Sequence, residues 1–227
     1  MSKVSAYFGS KAASGLCQRI IAMMPPHDAY IEAHLGGGAI MKRKPQASTN
    51  NIGIDLDPKV LADFHCDYPV QLVNTCAHKF LSQYEYTGSE LIYCDPPYVK
   101  ETRTSNNRYR FEYTEQDHVA LLELIKSLPC QVILSGYPSS LYDDYLTSWN
   151  TIELQAMSRG GPRTEKLWYN YKIDRVHWVS YAGKNFTDRQ CIKRKAQRWA
   201  KNYEAMSKME RLAVLAAMMQ VEESETD

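Results

Sequence analysis

Glu90-Leu91-Ile92-Tyr93-Cys94-Asp95-Pro96-Pro97-Tyr98 sets a strand and a rigid corner side by side. The first five residues are apolar or aromatic enough to form a buried strand. Two consecutive prolines cannot continue it, because a proline nitrogen donates no ladder hydrogen bond. The chain must therefore leave the sheet stiffly at the strand's carboxyl end. In an open α/β sheet that end is where ligands bind.

Working outward, short apolar runs alternate with longer amphipathic ones. Ala29–Leu35, Asn51–Leu56, Val70–Asn74, Glu90–Cys94 and Gln131–Ser135 are the expected strands, each followed by a polar or Gly/Pro break and a helical pattern. That alternation predicts a mostly parallel sheet with helices on both faces. Thr151–Ala156 and Lys166–Tyr171, with Gly160, Gly161 and Pro162 between them, predict an antiparallel hairpin at the sheet edge. Seven strands in an α/β layer result, in one domain over residues 1–175. Residues 176–227 form a basic helical extension with an acidic tail. Thr187 with Gln190, and Ser207 with Glu210, have the spacing of capping boxes. Met209, Leu212, Ala213, Ala216 and Gln220 share one face of the last helix and are expected to pack in a core.

The formal net charge is only +1, so attraction to a polyanion must come from local segregation of charge. The six cysteines form no C-x-x-C pair and no zinc-spaced cluster, so no structural metal is expected. A reduced, cytoplasmic protein is expected. The longest apolar run, Leu212 to Val221, is too short for a bilayer, which needs about 20 residues.

The corner has a specific chemistry. An aryl amino group is a poor nucleophile because its lone pair is delocalised into the ring. A rigid carboxylate (Asp95) and a carbonyl (Pro96) can accept its two hydrogens, while Pro97 stiffens the corner and Tyr98 offers a face for a base taken out of a duplex. Upstream, Glu32-Ala33-His34-Leu35-Gly36-Gly37-Gly38 carries a strand into a glycine turn that lets a ligand approach the backbone. Asp55 ends the next strand about 20 residues on, where an acid meets ribose hydroxyls. The glycines do not match G-x-G-x-x-G, and Asp-Pro-Pro-Tyr has no role in hydride transfer.

With these residues together, the chain resembles the Dam-class adenine-N6 DNA methyltransferases, of the compact phage and prophage type, over roughly Ser5 to Tyr171. The likeness implies a Rossmann-like methyltransferase fold, S-adenosyl-L-methionine as cofactor, and double-stranded DNA with a flipped base as substrate. Tyr7-Phe8-Gly9-Ser10-Lys11 matches the family's N-terminal element, which gives Tyr7, Gly9 and Lys11 a cofactor role. Glu32, Gly36, Gly37, Gly38 and Asp55 match its glycine turn and acidic strand end, and Asp95 to Tyr98 its catalytic tetrapeptide. Ser135-Gly136-Tyr137 and Arg163 to Asn170 resemble late segments of phage members. The family often has Pro-Phe where this chain has Ala33-His34; His34 is either a solvated substitute or a partly buried donor, the first being favoured. It often has an acid for the cofactor's adenine where Cys76 stands, with Asn74 as a neighbouring substitute. The stretch from Asp57 to Asp95 leaves no room for a target-recognition insert.

Val99 to Tyr113 interleaves Lys100, Arg103, Arg108 and Arg110 with aromatic residues beside the corner, a pattern suited to phosphate contact and stacking. Arg159 and Arg163 flank a second basic loop, and Lys193, Arg194 and Arg198 lie in an acid-free run from Arg189 to Lys201. Lys42-Arg43-Lys44 is expected to be a solvated run. The same corner would serve an RNA base, a cytosine or a glutamine amide, and a non-catalytic nucleic-acid-binding relative would keep the basic loops.

Overall fold

The computed structural model describes residues 15–103, 110–158, 161–173 and 176–224. The chain divides into two compact units between His177 and Trp178.

In the first unit α1 (Leu16–Met23) precedes β1 (Ala29–Glu32), β2 (Asn50–Asp55), α2 (Pro58–Ala62), β3 (Gln71–Asn74), α3 (Ala77–Gln83) and β4 (Glu90–Cys94). Then follow α4 (Glu115–Ser127), β5 (Gln131–Gly136), α5 (Ser140–Tyr145), β6 (Asn150–Ser158) and β7 (Gly161–Tyr169). The strands form a seven-stranded sheet in the order β3-β2-β1-β4-β5-β7-β6. β1 to β5 pair in parallel and β7 is antiparallel to both β5 and β6. This is the Rossmann-like α/β plan expected from the sequence, edge hairpin included. The hairpin is longer and its second strand begins earlier than expected, because Pro162 and Arg163 still pair, opposite Met157 and Ala156.

That strand order creates the crevice. From β1 the chain moves outward to β2 and β3; from β4 it moves the opposite way to β5. Right-handed crossovers then send α2 to one face and α3 and α4 to the other. The connections leaving β1 and β4 diverge, so their carboxyl ends open a gap between neighbouring strands. Glu32 and Asp95 flank it: Glu32 pairs with Tyr93 across the two strands, two residues before Asp95.

Side chains from both layers close the core. Ile31, Ile52, Ile92, Val132 and Leu134 from the sheet meet Leu81, Leu121, Leu122 and Ile125 from α3 and α4. Trp168, fully buried on β7, donates its Nε1–H to Asp143 at 2.8 Å. β1 stops at Glu32, short of the expected Leu35, because the backbone there turns: the Leu35 amide donates to the Ile54 carbonyl and the Gly38 amide to Leu35.

The second unit holds α6 (Phe186–Glu204) and α7 (Lys208–Ser224). Its α6 cap differs from the expected Thr187 box: Asn185 accepts from the Asp188 amide. The Ser207–Glu210 box is present, with Ser207 N–H donating to Glu210 at 2.8 Å. The stripe on α7 is not in a core; Met209 is 75% and Leu212 53% exposed. Periodicity tells which residues share a face, not whether anything covers it. Among the described residues no helix is long and apolar enough to cross a membrane.

Candidate active site

The cleft at the carboxyl ends of β1, β2 and β4 is lined by Glu32, His34, Gly36, Gly37, Gly38, Asp55, Cys76, Asp95, Pro97, Tyr98 and Arg110, among others. Its cavity volume is about 120 Å³, roughly ten times what one water needs. The glycine turn, the acid after β2 and the proline corner, far apart in sequence, therefore share one wall.

The turn is built on two glycines in the left-handed region, Gly36 at φ 48° and Gly38 at φ 60°. The Gly36 amide donates to Asp55 Oδ2 at 2.8 Å, and the Asp57 amide to Oδ1 at 2.9 Å. These bonds hold the Asp55 carboxylate at the end of β2 with acceptor capacity to spare.

Glu32 is 3% exposed. Its Oε2 accepts from the Met41 amide at 2.9 Å and from the Tyr30 hydroxyl at 3.2 Å. Burial pushes its carboxyl up to about 8. Lys44, expected to be solvated, is 2% exposed, with Nζ 4.4 Å from the Tyr30 ring centre. Its long stem follows the core and its ammonium finds the Pro45 carbonyl at 2.6 Å.

At the corner, Ser135 Oγ donates to Asp95 Oδ1 at 2.9 Å. Tyr93 Oη stands 2.9 Å from the same Ser135 oxygen. Since the serine hydrogen is committed to the carboxylate, Tyr93 is the donor to Ser135. Tyr98 is 6% exposed and donates to both Glu165 oxygens, at 3.0 and 2.9 Å. Its ring packs 4.4 Å from that of Tyr137, tilted by 58°. Pro96 is buried and is not part of the lining.

A second cluster lies on the same wall. His34 is half-buried, not solvated as favoured from the sequence but as its second alternative had it, with Nε2 2.8 Å from Tyr113 Oη. Tyr113 Oη is 3.4 Å from His78 Nδ1, and Cys76 Sγ is also 3.4 Å from that nitrogen. His78 Nε2 lies 2.9 Å from the Asp117 carbonyl.

Several expected contacts are reassigned. Asn74 is not in the lining; its amide donates to the Asp55 and Leu56 carbonyls, bracing β3 against β2. Arg103 is not available for phosphate: both its terminal nitrogens bond Glu112, at 3.0 and 2.7 Å, and its side chain is 2% exposed. Arg110 reaches the cleft rim, pairs with Asp57 at 3.0 Å and keeps 61% of its side chain exposed. Lys100 is exposed and Arg163 half-buried on β7, both away from the lining. Lys193, Arg194 and Arg198 are exposed on α6 in the second unit. Tyr7, Gly9, Lys11, Arg108 and Arg159 lie outside the described residues. Among the described residues no cluster of His, Cys, Asp and Glu could hold a metal ion.

Ser135 and Glu165 fall in the segments that resemble late parts of phage members, and Tyr113 closes the basic-aromatic run, but the sequence gives none of them its partner in the cleft. His78 carries no signal in the sequence.

Buried groups give the molecule a stability profile. Burial holds His34 down to about 3 and His118 to about 4, from an ordinary 6.5. Their unfolded forms bind protons that the folded forms refuse, so stability rises with pH between about 4 and 6.5. Glu32 works in the other direction: raised from 4.5 to about 8, it is protonated in the fold where the unfolded chain is ionised. Its contribution is complete below 4.5 and is lost as pH climbs to 8. Stability of the unliganded protein should peak near pH 6.5, as measured by urea unfolding from pH 4 to 9. Glu32→Gln should remove the decline on the alkaline side; a decline that persists in this variant excludes Glu32 as its source.

No protein-family model matches the chain, and no curated protein does. Solved structures similar to it include an rRNA methylase from Streptococcus thermophilus, 11% identical, covering 68% of this chain and 93% of its own, with a TM-score of 0.46. The N-methyltransferase NodS from Bradyrhizobium japonicum is 9% identical over 70% of this chain and 94% of its own, with a TM-score of 0.46. The 23S rRNA methyltransferase ErmE is 10% identical over 77% and 80%, with a TM-score of 0.45. At these values the fold rests on the strand order itself.

Proposed function

We propose that this chain is an S-adenosyl-L-methionine-dependent methyltransferase that methylates the N6 amino group of adenine in DNA. The observation that carries the reading is the convergence of Glu32, the Gly36–Gly38 turn, Asp55 and Asp95 on one cleft at the sheet's switch point.

The donor set suits that cofactor. Glu32, buried and raised to about 8, gains from a cationic neighbour, which the amino-acid end of the cofactor supplies. The glycine turn lets the chain of the cofactor lie against backbone, and Asp55 can accept from ribose hydroxyls. When bound, the cofactor supplies an electrophilic methyl on a sulfonium.

Asp95 would accept one hydrogen of the substrate amino group, drawing the nitrogen lone pair out of the ring and aligning it for in-line attack. As the N–C bond forms, the methyl–sulfur bond would break and the sulfonium leave as a neutral thioether; the nitrogen becomes cationic, and its extra proton leaves by way of the Asp95 carboxylate to solvent. Ser135 fixes which oxygen of Asp95 faces the substrate, and Glu165 fixes the Tyr98 ring. Arg110 and Phe111 on the cleft, 61% (side chain) and 40% exposed, and the exposed Lys100 two residues after Tyr98, would give DNA phosphate and stacking contacts.

The chain incubated with the cofactor and adenine-containing duplex should yield N6-methyladenine when the DNA is digested to nucleosides and weighed by mass spectrometry. Methyl found only in RNA, or on cytosine, would overturn the DNA-adenine assignment. Ser135→Ala should lower kcat about tenfold, the scale of one charge-assisted hydrogen bond, with cofactor affinity unchanged. An equal loss in cofactor affinity would mean that Ser135 supports the fold, not Asp95.

A further inference from the structure

His34 stands in the cleft wall beside Cys76 and Tyr113. Its Nδ1 is buried and meets no hydrogen-bonding partner among the described residues. Leaving a buried polar nitrogen unpaired is destabilising, a cost that a ligand offering the right group would remove.

The neighbouring bonds say which group that is. The Asp117 carbonyl can only accept, so His78 carries its hydrogen on Nε2, and its Nδ1 is an acceptor. Tyr113 can donate to that Nδ1 at 3.4 Å. In the tautomer where Tyr113 donates there, its oxygen accepts from His34 Nε2–H at 2.8 Å and a lone pair remains on His34 Nδ1. Burial, together with His78 and His118, holds the imidazole down to about 3, so the ring stays neutral and keeps that lone pair at physiological pH.

Position narrows the donor further. In the reading above, Asp55 at the end of β2 anchors the ribose. Thr75, Cys76 and Ala77, which follow the adjacent strand β3, line the cleft next to it. A base attached to that ribose lies against this wall, and the Cys76 thiol there already faces His78 at 3.4 Å.

We infer that His34 reads the base of the bound methyl donor, accepting a hydrogen bond at Nδ1 from the exocyclic amino group of its adenine. The inference rests on the proposed cofactor and adds the residue that distinguishes its purine from others.

Calorimetry with two ligands tests it: S-adenosylhomocysteine, and the analogue whose purine carries hydrogen in place of the 6-amino group. The wild-type protein should bind S-adenosylhomocysteine about tenfold more tightly than the analogue, the scale of one buried hydrogen bond. His34→Phe should bind the two alike, at about the weaker affinity. His34→Asn, which keeps an acceptor near the Nδ1 position, should retain most of the preference. Equal binding of both ligands by the wild type overturns the inference, as does a tenfold preference that survives in His34→Phe. Should His34→Phe not fold, the wild-type ligand pair and His34→Asn still decide. A wild-type protein that binds neither ligand would sink the cofactor reading itself, an outcome distinct from binding without preference.

Discussion

Asp95→Ala should reduce methyl transfer by at least a hundredfold while S-adenosylhomocysteine binds within about twofold of its wild-type affinity. The asymmetry follows from where the carboxylate sits. Asp95 lines the cleft at the end of β4, held by Ser135 from β5 at 2.9 Å, and the groups proposed to hold the cofactor stand on β1 and β2. A preorganised group that acts only where charge develops contributes about 10²–10³ to rate. Removing it leaves ground-state contacts to the cofactor intact. Transfer of labelled methyl to duplex DNA reads the first quantity and calorimetry the second. An alanine variant that methylates at a normal rate would falsify the role given to Asp95. One that loses cofactor affinity in the same proportion would recast Asp95 as a binding residue.

Gly38→Ala should cost about 2–5 kcal/mol of stability and lower the melting temperature by about 5–15 °C. Two effects add. Gly38 sits at φ 60°, a region that costs an L side chain about 1–2 kcal/mol. Its added Cβ would also fall 2.2 Å from Phe64 Cε2 and 2.9 Å from Cδ2. Phe64 is only 8% exposed, with Lys42 Nζ 4.7 Å from its ring centre, so the ring cannot swing away freely. Overpacking of this kind costs about 1–3 kcal/mol. Thermal and urea unfolding would measure the sum. Phe64→Leu in the Gly38→Ala background should recover the steric part and leave the backbone strain. If Gly38→Ala melts with the wild type, the turn does not have the conformation described. Because the same turn lines the cleft, affinity for S-adenosylhomocysteine should fall with it.

The two variants probe features of different visibility. The strand ending in Asp95-Pro96-Pro97-Tyr98, the glycine turn after Glu32 and the acid at Asp55 are legible because each is a local matter. Prolines stop a strand wherever they occur, glycines permit left-handed backbone, and alternation of apolar runs marks a layered sheet. Burial is less visible. Lys44 lies in a run of three cations that looks solvated, yet it is 2% exposed, and the apolar face of α7 is exposed where a core was expected. A side chain's surroundings come from elements elsewhere in the chain, which composition near it does not report.

From the sequence alone came the class of fold and the local form of the corner and turn to which the proposed chemistry is assigned. The tertiary structure decided their partners. Ser135 reaches Asp95 across 40 residues, Tyr98 reaches Glu165 across 67, and His34 reaches Tyr113 across 79. Such pairings depend on which strands lie side by side and in what register: a shift of one residue in β5 or β7 would turn Ser135 or Glu165 to the opposite face of the sheet. No local pattern encodes that choice; it is set when the whole sheet closes over its core.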